Sequence, residues 1–282
     1  MTTTAPTVLI TGTSTGIGFH TAIAAAKAGF TVIATMRDLS RADALREAAT
    51  AAGGKLEIRA LDVTDAASVD VVVGGIVEDH GSLDAVVNNA GAASLGTVEL
   101  LSMDQFRASM EVNFFGVVNV TKAAMPHLRA SSGRVVTVTS VGGVIGQPFN
   151  ESYCAAKFAA EGFLESLQPV AASVGVGVHI VEPGAVASEF VANAKIDPRE
   201  ALAAAGPYAP ALAKYLERTA ASFSAAQSAE EVADVIVHTL QGENVPFRVQ
   251  TSGGATTFVG VKLGDLDGAK VTGMTAGWVG AV

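Results

Sequence analysis

The chain has 282 residues, 49% of them apolar and 16% charged, with a net charge of -9. That suffices for one large α/β domain or two small ones, while scattered basic residues such as Arg37, Arg41 and Arg46 lack the stripe that a nucleic-acid partner requires. No uninterrupted apolar run reaches the ~18 residues of a membrane span, and His20, His80, His127, His179 and His238 form no metal-binding spacing, so neither a stable membrane span nor a metal site is expected.

The single cysteine, Cys154, excludes an internal disulfide and reads as a small buried filler. The amino end, MTTTAPTVLITG, has no basic stretch and no long apolar core of a secretion signal, so the expected home is the cytoplasm.

In chain order, TVLIT (7 to 11) predicts a strand stopped by glycine, and GIGFHTAIAAAKAG predicts a helix with glycine at its end. Between them runs TGTSTGIG (11 to 18). Gly12, Gly16 and Gly18 allow a tight turn and let a pyrophosphate approach the free N–H groups of the helix N-terminus, though not in the usual G-x-G-x-x-G order. FTVIAT then predicts a second strand. At its end a dinucleotide-binding protein must meet the adenosine ribose, and Met36 followed by Arg37 suits the 2′-phosphate of NADP(H). Asp38 could instead serve the ribose of NAD(H), act as a turn residue or pair with a basic side chain.

The alternation continues through RADALREAATAAGG, LEIRALDV, DAASVDVVVGGIVEDHG, LDAVVNNAG and RVVTVTS to a helix beginning near Tyr153, then VGVHIVEPG. Nearly all-apolar strands separated by helices predict a single-domain, Rossmann-type, doubly wound parallel sheet. Within the helix, Tyr153 and Lys157 fall at i and i+4 and share one face. Residues 190–226 are alanine-rich and broken by Pro198, Pro207 and Pro210. They predict a helical insertion, either a lid over a substrate site or a surface hairpin. Ser228 and Glu231 predict a capping box, PFRVQTS a last strand, and 251–282 an irregular extension.

Taken in order, TGTSTGIG, Asp62-Val63, NNAG at 88 to 91, Asn113, Ser140, Tyr153 with Lys157, and PG at 183 and 184 resemble the short-chain dehydrogenase/reductase family over residues 7 to about 190. The resemblance implies that Gly12, Ser14, Thr15, Gly16, Ile17 and Gly18 contact the cofactor. It further implies that Asp62 bonds the adenine amino group, that Val63 packs the ring, and that Asn89, Ala90 and Gly91 support cofactor and central strand. Ser140 is implied to hold the substrate oxygen near Tyr153, Asn113 to support a proton relay, and Lys157 to hold the nicotinamide ribose. Chemically, a free phenol with pKa about 10 is a poor base at neutral pH, so the Lys157 ammonium and an oxidised nicotinamide are expected to lower it. After Pro183, Gly184 and Val186, Ser188 stands where the family usually has threonine, keeping a hydroxyl for the nicotinamide carboxamide.

The expected activity is NADP(H)-dependent interconversion of a hydrophobic alcohol and its ketone, with NAD(H) as the other cofactor. IATMRDL, VEPG and FRVQTS also resemble the branch containing 17β-hydroxysteroid and retinol dehydrogenases. Phe149, Phe190, Tyr208, Tyr215 and Phe223 either line an apolar cavity or pack helices. A non-catalytic NADP(H) sensor and an NAD-dependent epimerase or dehydratase are the alternatives. The resemblance also implies a homodimer or homotetramer paired through residues 103–129 and 153–173.

Overall fold

A computed structural model of the protein describes residues 5–193, 197–267 and 269–280. In the first half, β1 (Thr7–Thr11), α1 (Gly16–Lys27), β2 (Thr31–Met36), α2 (Ala42–Ala51), β3 (Leu56–Ala60), α3 (Ala66–His80) and β4 (Ala85–Asn88) alternate as expected. There follow α4 (Met103–Met110), α5 (Gly116–Ser131), β5 (Arg134–Val138), α6 (Glu151–Ala172), β6 (Gly177–Glu182) and a two-residue strand, β7 (Val186–Ala187). The insertion holds α7 (Phe190–Asn193), α8 (Pro198–Ala204) and α9 (Ala209–Phe223). Then come β8 (Gln227–Ser228), α10 (Ala229–Gln241), β9 (Arg248–Gln250), α11 (Gly253–Leu263) and α12 (Ala269–Val279).

Side chains alternate across a strand, so a strand buried on both faces must be apolar throughout. In β1, Val8 and Ile10 enter one core with Ala22 and Ala25 of α1, whereas Leu9 enters the other with Val69 and Val73 of α3 and Leu164 of α6. Each such buried aliphatic side chain contributes about 1.5–3 kcal/mol. The strands pair in parallel in the order β3-β2-β1-β4-β5-β6-β9. Strand order reverses between β1 and β4, and in open α/β sheets a ligand crevice lies beyond the carboxyl ends at that point.

Local signals end the elements. Asp65 caps α3 by accepting from the Ala67 and Ser68 amides, and Gly81 closes it in the left-handed region. Ser228 and Glu231 form the expected capping box on α10. The last thirty residues correct the sequence reading: two helices stand where an irregular extension was expected. Ser252 caps α11 through the Ala255 amide, and Asp265 accepts from the Lys270 and Val271 amides at the start of α12. Glycine is a poor helix former, but packing overrides that cost: Ala255 and Val259 pack on Val141, and Phe258 stacks on Trp278. Arg218 of α9 lies 4.0 Å over the other partner of that stack, Trp278, so the insertion and the carboxyl-terminal helices brace each other. No helix among the described residues is long and apolar enough to cross a membrane.

Candidate active site

The sequence-named residues follow the carboxyl ends of successive strands. After β1, Gly12 and Gly16 have φ of +71° and +59°. A Cβ on Gly12 would stand 2.8 Å from the Ala90 Cα, and one on Gly18 would run into the Asn89 amide and the Gly12 carbonyl. Only glycine permits so close an approach. Asn89 Nδ2 donates to the Thr11 and Gly12 carbonyls, and the Asn89 and Ala90 amides both donate to Thr11 Oγ1 at 3.0 Å. The β4 end thus fixes the glycine loop.

Thr15 is the N-cap of α1, but its side chain makes no cap bond, and the first turn carries no acidic residue. The open N–H groups and positive dipole end suit a pyrophosphate. Ser14 and Ile17 flank this turn, half-buried. Ser188 faces it too, its Cβ 3.3 Å from where a Gly16 Cβ would stand. Asn193 Nδ2 donates to Thr15 Oγ1 at 3.1 Å, so α7 reaches across to the loop.

At the end of β2, Arg37 is exposed, and among the described residues no carboxylate pairs with it. Asp38 is engaged locally, accepting from the Ser40 amide at 2.9 Å and capping a short 3-10 turn. Its bonds to Ser40 hold its carboxyl below the ordinary range. In the protein alone Asp38 thus takes the turn role. After β3, Asp62 Oδ1 accepts from the Thr64 amide and hydroxyl, while Val63 is buried in the second core and its carbonyl accepts from Asn119.

Asn113, Ser140, Tyr153 and Lys157 come from three elements and meet beyond β4 and β5. Asn113 lies in a π-helical turn, Glu111–Phe115, between α4 and α5. Its Nδ2 donates to the Ala92 and Ser109 carbonyls, and its Oδ1 accepts from the Ala92 amide. A Cβ on Gly91 would stand 3.0 Å from Asn113 Oδ1, 3.7 Å from Lys157 Nζ and 3.8 Å from the Phe190 ring. Lys157 is 4% exposed, donates to the Val138 carbonyl at 3.1 Å and has its Nζ 5.8 Å from the Tyr153 ring centroid. Ser140 Oγ accepts from the Gly142 amide at 3.0 Å and stands within hydrogen-bonding reach of the Tyr153 phenol. Pro183 anchors the same turn, its carbonyl accepting from the Val141 amide at 3.0 Å. Gly184 lies against Ala255, and Val186 is held in the short β7–β8 pair.

Burial sets the electrostatics of the protein alone. Without a cofactor the Tyr153 phenol is pushed up: burial dominates, and the Ser140 bond only partly opposes it. Lys157 is pushed down to about 8 by burial, against the field of Glu161.

The five aromatics divide. Phe149, Tyr208 and Tyr215 pack with Leu95, Leu212 and Ala205 beneath α9, and Asn150 Nδ2 donates to the Tyr215 hydroxyl. Phe223 is exposed at the end of α9. Phe190 lies edge-on to Tyr153, ring centroids 5.9 Å apart. Sequence reasoning missed Thr139, Glu161 and Arg248, which meet behind the Ser140 turn, although Glu161 falls one helical turn beyond Lys157.

A family model described as short chain dehydrogenase matches residues 6–199. Human 17-beta-hydroxysteroid dehydrogenase type 1 is 38% identical over 277 residues, covering 95% of this chain and 84% of that protein. Retinol dehydrogenase 8 of Bos taurus is 36% identical over 278 residues, covering 93% and 86%. A short-chain dehydrogenase from Streptomyces avermitilis shares the fold with a TM-score of 0.76 at 30% identity, over 99% of this chain and 98% of that one. With the parallel sheet, the glycine loop and the matched span together, the chain belongs to the short-chain dehydrogenase family, oxidoreductases that act on CH–OH groups with NAD(P).

Proposed function

We propose that the protein is an NADP(H)-dependent oxidoreductase that interconverts a hydrophobic secondary alcohol and its ketone. The observation that carries this reading is the convergence on Gly91 of the Asn113 amide, the Lys157 ammonium and the Phe190 ring, with Tyr153 and Ser140 alongside. The glycine loop and the open N-terminus of α1 hold the cofactor's pyrophosphate, Arg37 its 2′-phosphate, Asp62 and Val63 its adenine, and Lys157 its nicotinamide ribose. Pro183, Gly184, Val186 and Ser188 cover the nicotinamide end. When bound, the nicotinamide supplies the hydride for ketone reduction or accepts it in alcohol oxidation.

The chain's own residues handle the proton. In reduction, Tyr153 Oη gives its proton to the carbonyl oxygen as Ser140 Oγ donates a hydrogen bond to that oxygen. A phenol kept neutral by burial is the form that this step requires. Lys157, with a pKa near 8, restores the proton at neutral pH. Asn113 acts by position, tying the loop at Ala92 beyond β4 to the π-helical turn. The steroid and retinol named for the two relatives support an apolar substrate. Phe115 and Met103 stand exposed on the helices through which we infer that two copies pair.

The test is thermal unfolding with NADPH and with NADH at equal concentration. Ligand at ~100 times its Kd adds about 2.7 kcal/mol, roughly 5 to 10 °C for a domain of this size. The larger shift is expected with NADPH, and Arg37→Ala should abolish that preference by weakening NADPH about 10- to 100-fold, the value of a charge-assisted contact. A preference unchanged in Arg37→Ala removes the arginine from the 2′-phosphate; a shift with neither cofactor removes the whole reading. Turnover of apolar ketones in preference to polar sugars tests the substrate class.

A further inference from the structure

Two of the short pieces singled out in the sequence, VEPG and FRVQTS, meet in the fold. Glu182 ends β6, and Arg248 and Gln250 lie on the neighbouring β9. Arg248 Nε stands 3.1 Å from Glu161 Oε2 and 3.2 Å from Glu182 Oε1, while its Nη2 reaches Glu165 at 2.7 Å. Gln250 Nε2 donates to Glu182 Oε2 at 2.8 Å, and Thr139 Oγ1 donates to Glu161 Oε1 at 2.6 Å. Glu161 and Glu182 are 4% and 0% exposed, so two buried carboxylates share one guanidinium. Apolar side chains of the same volume would often give equal or greater stability, so stability alone does not account for the cluster.

Its position points to a role. Thr139 immediately precedes Ser140, Glu161 lies one helical turn beyond Lys157, and Glu182 immediately precedes Pro183. The Ser140 turn rests directly on Glu161: a Cβ on Gly143 would stand 2.9 Å from the Glu161 Cγ and 3.3 Å from the Lys157 carbonyl. We propose that Glu161 is a positioning residue of the catalytic site, anchoring the Ser140 turn through Thr139 while its carboxylate charge holds the proton on Lys157. Arg248, itself paired with Glu182, fixes Glu161 in place. The inference rests on the functional reading above.

The groups around the pair agree with this division. Facing Lys157 are Tyr153 and Glu161 from its own helix, the Val138 carbonyl from β5 and the Asn113 amide from the π-helical turn. Facing Glu161 are Thr139 just after β5, Glu182 from β6 and Arg248 from β9. Burial is the largest influence on Lys157 and lowers it, and Glu161 is the charged group that raises it. Burial and the neighbouring Glu182 charge raise Glu161, while the Thr139 bond and Arg248 favour its ionised form.

The experiment uses the full chain labelled with ε-13C lysine, the Lys157 signal being assigned through Lys157→Met. The parent midpoint is expected near 8. In Glu161→Gln it should fall by about one pH unit, the size of one partly screened charge at a helical turn's distance. In Glu182→Gln, which loses a carboxylate that is not among the charges acting on Lys157, it should stay within about 0.3 units of the parent. Glu161→Asp should lie between parent and Gln variant, and serves alone if the Gln variant does not fold. The alkaline limb of kcat for ketone reduction should move with the midpoint, with KM for the cofactor changed less than twofold. An unchanged Lys157 midpoint in Glu161→Gln, or in Glu161→Asp where that variant serves alone, overturns the proposal; so does an equal displacement in Glu182→Gln. A midpoint that moves in a parent that reduces no carbonyl compound keeps the Glu161–Lys157 coupling and overturns the oxidoreductase reading instead.

Discussion

Replacing Tyr153 with phenylalanine is expected to lower kcat for ketone reduction by about a thousandfold, the mid-range value of a positioned proton donor. The substitution removes one hydroxyl, whose neighbour is Ser140, and keeps the ring that packs edge-on against Phe190. Folding and cofactor binding should therefore persist. Steady-state rates measured beside the NADPH-induced thermal shift separate the cases. A lost rate with a retained shift assigns the proton to Tyr153, whereas a rate near the parent's means that another group delivers it. Loss of both would mean that the phenol holds the fold or the cofactor.

A comparably large effect on stability is expected at Arg248. Its replacement by alanine leaves Glu161 and Glu182 buried beside each other without their shared cation. Breaking a buried ion pair costs roughly 3–5 kcal/mol. Because a third of the Arg248 side chain is open to solvent screening, about 2–3 kcal/mol is expected, or a Tm lower by about 5 to 10 °C. The loss should depend on pH. Burial raises both carboxyl groups above their ordinary value of 4.5, so the folded state holds their protons more tightly than the unfolded chain does. The stabilisation from that tighter binding is complete below about 4.5 and is lost as pH rises through the raised values. Without Arg248 the values rise further, so the gap between variant and parent should be widest at pH 8 and narrow by pH 5. Melting curves at both pH values check this. A gap independent of pH would assign the loss to the stacking of Arg248 on Phe247.

The sheet was readable because buried parallel strands announce themselves: TVLIT and RVVTV are mostly apolar and buried on both faces. The glycine loop, NNAG, Ser140 and the Tyr153–Lys157 pair were readable because each lies at a strand end or on one helical face, where sequence spacing and spatial adjacency coincide. The extension after residue 250 was not readable. Its helices hold through contacts from elsewhere, Val141 beneath α11 and Arg218 across Trp278, and those contacts have no local signature. How strongly burial acts on Tyr153 in the protein alone was not readable for a similar reason. Spacing placed a cation near the phenol, but how deeply both lie depends on the packing of the whole crevice. The Glu161 cluster joins residues 139, 161, 182 and 248, and its long-range pairs are invisible to any local window.

The bracing of Trp278 has an optical consequence. It is the sole tryptophan of the chain, held between the Arg218 guanidinium on α9 and the Phe258 ring on α11. All intrinsic tryptophan emission therefore originates at the junction between the insertion and the carboxyl-terminal helices. A shift of α9 by even a few ångströms would change the indole's exposure to a neighbouring cation and to water. The molecule thus carries a built-in, label-free fluorescent reporter of movement between α9 and the carboxyl-terminal helices, readable by stopped flow without a single substitution.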